Sequence, residues 1–432
     1  MRRYSLLRGT TAAQFRLADI EGARTSVDAA IGAAHALGRW DLVAEAATSF
    51  AGAGSWSWRA FGVTDAAMIA TLRECLDQLD DDTDGALKAR VLACLQMESY
   101  FGFDAAVADD YGRRSVEMAR RTGDPDVLVS VLLVRALASW GSLTAQQRVA
   151  LGEELLTLPL RGETEVHALW QHGAALYRTG RVDESDAVMA RCFAAAARLR
   201  HTGADIPIAW WKFMRAVAQE RPDAAVLGDA ALDLHRRARF IAMDELTAMH
   251  LIRRASIGSP VPDDARRTVA DNPSSVLRAL VAHAVAESGD ISAAVAMLGP
   301  PPDPRGRNYA SRAGACLRLA VFAMAGDRAA VSDALARMTE MDLDPEEVVT
   351  YGSIDCLGSV DYFLAVADEA LGDRDSARTH TRAALAFDRR IGNRAWGRRA
   401  AALARDLGLD PDEVWALPPA TGAEVGRRKV GG

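Results

Sequence analysis

Lysine is nearly absent from this chain of 432 residues, which contains only Lys88, Lys212 and Lys429. Arginine and alanine take its place, a bias that we attribute to a GC-rich, actinobacterial genome rather than to function. No lysine follows a glycine and none precedes a serine or threonine, so the Gly-Lys-Ser/Thr motif of a nucleotide-binding P-loop is missing. ATP hydrolysis by a P-loop module is therefore not expected.

The sequence also lacks the short motifs of several enzyme classes. It has no H-E-x-x-H zinc motif, no G-x-S-x-G elbow and no S-x-x-K. The eight histidines have no ligand-like spacing, since even His167 and His172 are five positions apart and would not share a helix face. We therefore predict a protein that is not an enzyme and has no metal or cofactor, and rank an enzyme of unfamiliar type as the lowest alternative.

Segments that would direct the chain to a membrane or to secretion are missing too. No apolar run approaches the roughly 20 residues that a membrane helix needs, and the N-terminus has no apolar segment of a signal peptide. These absences predict a cytoplasmic protein without a membrane partner. The net charge is −7, and the chain lacks the broad excess of basic residues that is typical of nucleic-acid-binding proteins. No direct nucleic-acid partner is therefore expected.

The five cysteines are scattered and form no C-x-x-C pair. Their odd number in a long chain argues against a disulfide framework. Each lies in a segment that we predict to be helical and that is mostly apolar, which predicts that the cysteines are buried as small hydrophobic side chains.

Helical periodicity covers almost the whole chain, and no segment shows the alternation or β-branched enrichment of strands. Glycine followed by aspartate or arginine recurs before predicted helices. This phrase occurs at Gly38, Gly123, Gly180, Gly289, Gly326 and Gly372. Glycine would end one helix in a left-handed conformation and aspartate would cap the next. The pattern predicts an all-α, tetratricopeptide-like right-handed superhelix of stacked antiparallel helix pairs with an extended concave surface.

The region between Val348 and Ala400 shows the clearest predicted hairpin, two helical patterns that meet at Gly372-Asp373. The apolar positions of its two helices are Leu364, Ala367 and Leu371, then Ala377, Ala384 and Leu385. A proline-rich break that begins at Gly299 suggests a division of the chain. We predict an N-terminal repeat array over 1–298, a connector over 299–305, C-terminal repeats over 306–417 and a disordered tail over 418–432.

Aromatic clusters and an arginine stripe are the candidates for binding. The first cluster is Trp56, Trp58 and Phe61, whose side chains either anchor a loop to the core or line a groove. The same two interpretations apply to Trp210-Trp211, where one indole is expected to be exposed. The arginines near 389–399 fit either a solvated helix face or a docking surface. The candidate groove or partner-binding residues are Trp56, Trp58, Arg59, Phe61, Trp210, Trp211, Tyr351, Asp355, Arg390 and Arg394.

Three stretches together resemble a known family. They are Trp56-Ser-Trp-Arg-Ala-Phe-Gly, Tyr351-Gly-Ser-Ile-Asp-Cys-Leu-Gly-Ser-Val-Asp-Tyr-Phe-Leu, and Asp388-Arg-Arg-Ile-Gly-Asn-Arg-Ala-Trp. In this order they are similar to the C-terminal tetratricopeptide-like repeat region of large actinobacterial transcriptional regulators, namely the antibiotic-regulatory (bacterial transcriptional activator domain) and LuxR types with a STAND-class ATPase. The resemblance implies a sensor or partner-binding arm. Fewer than ten residues precede the first predicted helix, so we do not expect the DNA-binding and ATPase modules of that family, and neither activity is carried over.

The leading functional hypothesis is a non-enzymatic interaction or sensor module in transcriptional regulation. It would bind a protein or peptide partner, such as a separate regulator, or a small effector in its concave groove. The alternative is a receptor for a small molecule or signalling peptide with no link to transcription.

Overall fold

The computed structural model describes residues 1–49, 64–80, 83, 85–102, 104–199, 202–237, 261, 263–270, 275–301, 309–341, 348–351 and 355–411. Within these ranges the protein is all-α apart from one short hairpin, which confirms the predicted fold class. The first ten helices are α1 (Arg2–Arg16), α2 (Ile20–His35), α3 (Trp40–Ala47), α4 (Ala66–Gln78), α5 (Gly85–Glu98), α6 (Ala105–Thr122), α7 (Pro125–Ala138), α8 (Ala145–Leu156), α9 (Glu163–Arg178) and α10 (Val182–Leu199). The others are α11 (Thr202–Ala218), α12 (Ala224–Arg237), α13 (Asp263–Ala270), α14 (Ser275–Glu287), α15 (Ile291–Met297), α16 (Tyr309–Met324), α17 (Arg328–Glu340), α18 (Val360–Leu371), α19 (Arg374–Ile391) and α20 (Arg394–Asp406).

The turns between helices follow the predicted glycine phrase. All six glycines named above have a positive φ, between 64° and 98°. After Gly123, Asp124 accepts hydrogen bonds from the backbone N–H groups of Asp126 and Val127 at the start of α7. Asp290, Asp327 and Asp373 cap α15, α17 and α19 in the same way. Local chemistry therefore defines most of the hairpins, and consecutive helices such as α5 and α6 or α9 and α10 pack against each other.

The prediction that no segment forms a strand is wrong at one place. Strands β1 (Val348–Tyr351) and β2 (Asp355–Ser359) form an antiparallel pair between α17 and α18, in which Thr350 lies opposite Cys356. Val348 and Thr350 are β-branched and favour the extended conformation, but a run of four residues is too short to show a period of two. Cys356, expected on a helix, therefore lies on a strand.

The main hydrophobic core includes buried residues from Tyr4 to Trp396, and the helices contribute to it to different extents. Every residue from Val166 to Arg178 in α9 is buried, and α5 is buried without interruption from Val91 to Glu98. The neighbouring helix α6 instead buries one face, with Ala108, Gly112 and Ser115 among its buried positions. Helices α5 and α9 are therefore buried over most of their length, while α6 presents a polar face to solvent. None of the described helices combines the length and the apolar character needed to cross a membrane.

The five cysteines are free and buried, as predicted. Burial raises the pKa of the Cys75 and Cys192 thiols to about 12. These thiols are therefore protonated at neutral pH and behave as small apolar side chains.

The predicted C-terminal hairpin is present as α18 and α19. Its small residues Ala365, Ala377 and Ala384 are fully buried, so the two helices approach closely. The predicted division of the chain falls at the 299–305 connector, of which 302–305 lie outside the described residues. Helices α14 and α16, on either side of this connector, pack directly against each other.

A histidine between the two helices of this hairpin makes its stability depend on pH. His380 Nδ1 lies 2.7 Å from an Asp361 carboxylate oxygen, and Nε2 lies 3.8 Å from Asp368. The hydrogen bond with Asp361, aided by the charges of Asp361, Asp368 and Asp373, raises the pKa of His380 above its usual 6.5. The interaction therefore stabilises the fold fully below about pH 6.5 and is lost as the pH rises through the higher folded-state pKa.

We expect His380→Gln to destabilise the protein more at pH 6 than at pH 9. Urea unfolding of the unmodified chain and of His380→Gln at the two pH values measures this difference. The contributions of other titrating groups are common to the two proteins and cancel when their free energies of unfolding are compared. A loss of stability that is equal at both pH values would contradict the assigned role of the charged imidazole.

Candidate functional site

The C-terminal elements fold back onto the middle of the chain. The Tyr177 hydroxyl on α9 donates a hydrogen bond to Cys356 Sγ on β2 at 3.7 Å, across 179 positions of sequence. Arg215 on α11 donates from Nη1 to the Ile391 carbonyl at the end of α19, at 3.3 Å. Both contacts are buried. Strand β2 and the C-terminal helices therefore pack against α9 and α11.

A cavity of about 540 Å³ lies at this junction. Its walls come from α11 and the turn to α12, the end of α14, β2 and α20. Most of the surface is apolar, from Met214, Val217, Trp396 and several alanines, while five charged side chains join it. A mainly apolar cavity of this size with a few convergent polar groups is the usual form of a small-molecule site.

Trp396 on α20 forms a buried aromatic wall of the cavity. Its indole is 2% exposed, packs edge-on against Tyr362 at 5.3 Å between ring centroids, and stacks with His283 at 5.8 Å. Gly358 lies against one face of the indole with a φ of +80°, and a Cβ there would lie 3.1 Å from the ring. The position needs glycine both for its backbone and for the close approach. The indole is therefore held in a single orientation.

Two ion pairs connect α20 to the opposite walls. The Arg399 guanidinium donates to the Glu287 carboxylate from Nε at 2.6 Å and from Nη2 at 2.9 Å, and lies over the Trp396 ring at 4.7 Å. Arg398 pairs with Glu220 at the end of α11. Arg221, the third guanidinium, donates from Nε to Asp223 at 3.0 Å. The cavity lining thus carries three guanidinium groups and two carboxylates.

The backbone of Glu220 is unusual. Its φ is +55°, and within the described residues only Ala18 shares a positive φ without being glycine. After α11 the Glu220 amide binds the Val217 carbonyl and the Arg221 amide binds the Ala216 carbonyl. Glycine makes the same pair of bonds after seven other helices, at Gly38, Gly180, Gly289, Gly326, Gly372, Gly392 and Gly408, and Ala18 makes it after α1. A left-handed conformation costs a side-chain-bearing residue about 1–2 kcal/mol, and at Glu220 the side chain reaches Arg398.

Cys356 joins the cavity to a buried polar network. The Asn393 amide Nδ2 donates to Cys356 Sγ at 3.2 Å and to Asp388 Oδ1 at 3.4 Å. Burial raises the pKa of Asp388 well above its usual range. These groups lie where β2 meets the turn between α19 and α20, and they fix the position of α20 and hence of Trp396.

The two predicted tryptophans of α11 are core residues. Trp210 is fully buried, with its Nε1 3.3 Å from His235 Nδ1 on α12, and Trp211 is 3% exposed and packs edge-on against Tyr177 on α9. The expectation that one of them is exposed is wrong, because α11 is covered on both sides. Trp210 and Trp211 belong to the walls around the junction and do not line the cavity.

The other predicted site residues are dispersed. Arg390 is exposed and lies over the Phe387 ring at 4.7 Å, beside the Gly180 turn. Arg394 is exposed at the start of α20. The backbones of Tyr351 and Asp355 pair across β1 and β2, but their side chains lie outside the described part of the structure. Trp56, Trp58, Arg59 and Phe61 also lie outside the described residues.

Several cavity residues lie in sequence features already described, although the sequence did not indicate that these residues meet in one cavity. Trp396, Arg398 and Arg399 belong to the third resemblance stretch or to the arginine stripe. Glu220 stands in Gln219-Glu220-Arg221-Pro222, at a turn where seven other helices end on glycine. The sequence shows the absence of glycine at this turn, and it shows the same absence at Ala18.

Comparisons of the chain with known protein families, curated proteins and solved structures give no match. Among the described residues, no group of three or more His, Cys, Asp or Glu side chains is placed to hold a metal ion.

Proposed function

We propose that this protein is a non-enzymatic helical-repeat sensor that binds a small effector in the cavity between α11 and α20. The observation that carries the proposal is the cavity itself, whose walls come from segments nearly 180 positions apart in sequence. A ligand that contacts both walls favours the folded-back arrangement over any arrangement that separates them. Such a ligand would stabilise that state by about 2.7 kcal/mol at a concentration of 100 times its Kd.

The proposal includes a role in transcriptional regulation, in the cytoplasm and through a separate regulator. Its support is the resemblance of the three stretches described above to the sensor arms of actinobacterial regulators. The stacking of the hairpins as a right-handed superhelix belongs to the same proposal. The volume of the cavity, about 540 Å³, favours a small effector over a protein or peptide at this site, because it is within the range of small-molecule sites.

A neutral fluorescent probe tests whether the cavity binds small apolar molecules. N-phenyl-1-naphthylamine fluoresces in apolar surroundings, and we expect it to bind the full chain with a Kd below about 0.1 mM. Ala402 is exposed at the opening of the cavity, so Ala402→Trp should block entry and weaken binding by at least about tenfold.

Ala190→Trp is the matched control. Ala190 is exposed on α10 and does not line the cavity, so this variant should bind the probe like the unmodified chain. If neither protein binds the probe, or if Ala402→Trp binds it unchanged, the cavity is not the effector site.

A further inference from the structure

The two arginines of the cavity opening are held with different strength. Arg399 makes two hydrogen bonds with Glu287 and packs on Trp396, and its side chain is only 23% exposed. The side chain of Arg398 is 71% exposed and is paired with Glu220 alone among the described residues. Exposed ion pairs contribute little to stability and are readily exchanged. Arg398 is therefore the guanidinium that an incoming anion can take over.

Glu220 has the features of a built-in counter-ion. Its left-handed backbone stands where seven equivalent turns use glycine and one uses Ala18, and among these residues Glu220 alone carries an ionisable side chain. That side chain lines the cavity and reaches Arg398 on the opposite wall. The Glu220 carboxylate thus forms an ion pair with the Arg398 guanidinium, and a carboxylate is also the group that an acidic ligand would present.

We propose that Arg398 binds the anionic head group of an amphipathic small molecule whose apolar body fills the cavity, and that Glu220 is the counter-ion which this head group replaces. The inference rests on the proposed function, because it requires that the cavity takes a ligand. The planar guanidinium suits a carboxylate or sulfonate, and the side chain of Arg398 is the most exposed of the three arginines in the lining. A cationic ligand would meet Arg398 and Arg399 at the same opening.

A pair of probes with one aromatic body isolates the head group. N-phenyl-1-naphthylamine is neutral, and 1-anilinonaphthalene-8-sulfonate adds a sulfonate to the same rings. We expect the full chain to bind the sulfonate probe about tenfold more tightly than the neutral probe. Binding that remains in Ala402→Trp measures how much of either probe binds outside the cavity. Arg398→Gln should remove this preference and leave the affinity for the neutral probe unchanged.

Removing the counter-ion should have the opposite effect. Glu220→Gly suits the left-handed backbone, so the variant should fold, and it should bind the sulfonate up to about fivefold more tightly with no change for the neutral probe. Ala18→Gly is the matched control, since Ala18 has the same backbone conformation (φ 57°) and does not line the cavity. It should leave both affinities unchanged.

The outcomes separate the two proposals. The head-group inference is wrong, and the proposed function stands, if the neutral probe binds in the cavity but the sulfonate probe binds no more tightly than the neutral one. The same conclusion follows if Arg398→Gln prefers the sulfonate probe as strongly as the unmodified chain does. A weaker affinity of Glu220→Gly for the sulfonate would likewise overturn the role of Glu220 as a counter-ion. If the neutral probe fails to bind the cavity at all, the proposed function fails first.

Discussion

Trp396→Ala is expected to lower the free energy of unfolding by about 3–5 kcal/mol, the cost of removing a large aromatic side chain from a well-packed site. The indole is 2% exposed and contacts Tyr362, Phe363 and His283, which come from α18 and α14. Its loss removes the wall that joins these helices to the cavity. Urea unfolding followed by circular dichroism measures the change.

Trp40→Ala provides the comparison for this variant. Trp40 is half-buried at the start of α3 and packs edge-on against His35, so its removal should cost clearly less. Trp396→Phe keeps an aromatic ring and should recover part of the loss. A cost for Trp396→Ala below about 1 kcal/mol would show that the indole is not packed as described.

Arg215→Met is expected to destabilise the protein by about 2–4 kcal/mol and to loosen the folded-back C-terminal helices. The guanidinium is buried, donates to the Ile391 carbonyl at the negative end of α19, pairs with Asp186 at 3.2 Å and lies over the Tyr177 ring at 4.7 Å. Methionine keeps much of the volume but leaves the carbonyl without this donor.

Hydrogen–deuterium exchange gives the specific readout for Arg215→Met. Amides of α19 and α20 should exchange faster, while those of α1 to α3 should be unchanged. Arg237→Met is the control, because the Arg237–Asp233 pair on α12 is exposed on both sides and should contribute less than about 1 kcal/mol. Equal effects of the two variants would contradict the role of Arg215 as the contact between α11 and α19.

Local features of this fold could be predicted from the sequence, because each depends on neighbouring residues. The Gly123-Asp124 phrase ends one helix and caps the next through contacts within four positions, and the same holds at Gly372-Asp373. The burial of Ala377 and Ala384 follows from their spacing on one helix face. The short strand β1 was missed because four residues carry too weak a pattern.

The site could not be predicted in the same way, because its parts meet only after the chain folds back. The contact of Tyr177 with Cys356 spans 179 positions, and no local pattern encodes it. The distinctive tryptophans drew the prediction to Trp210 and Trp211, which the structure uses to pack α11. Glu220 stands at a turn where most of the hairpins have glycine, which the sequence shows, but no local pattern pairs it with Arg398.

The most direct test of a ligand cavity built by the folded-back C-terminal helices is a crystal structure of the full chain with bound 1-anilinonaphthalene-8-sulfonate. The rings are predicted to lie between α11 and α20 against Trp396, with the sulfonate at Arg398 and Glu220 turned away. A probe bound elsewhere, or C-terminal helices separated from α9 and α11, would contradict the account.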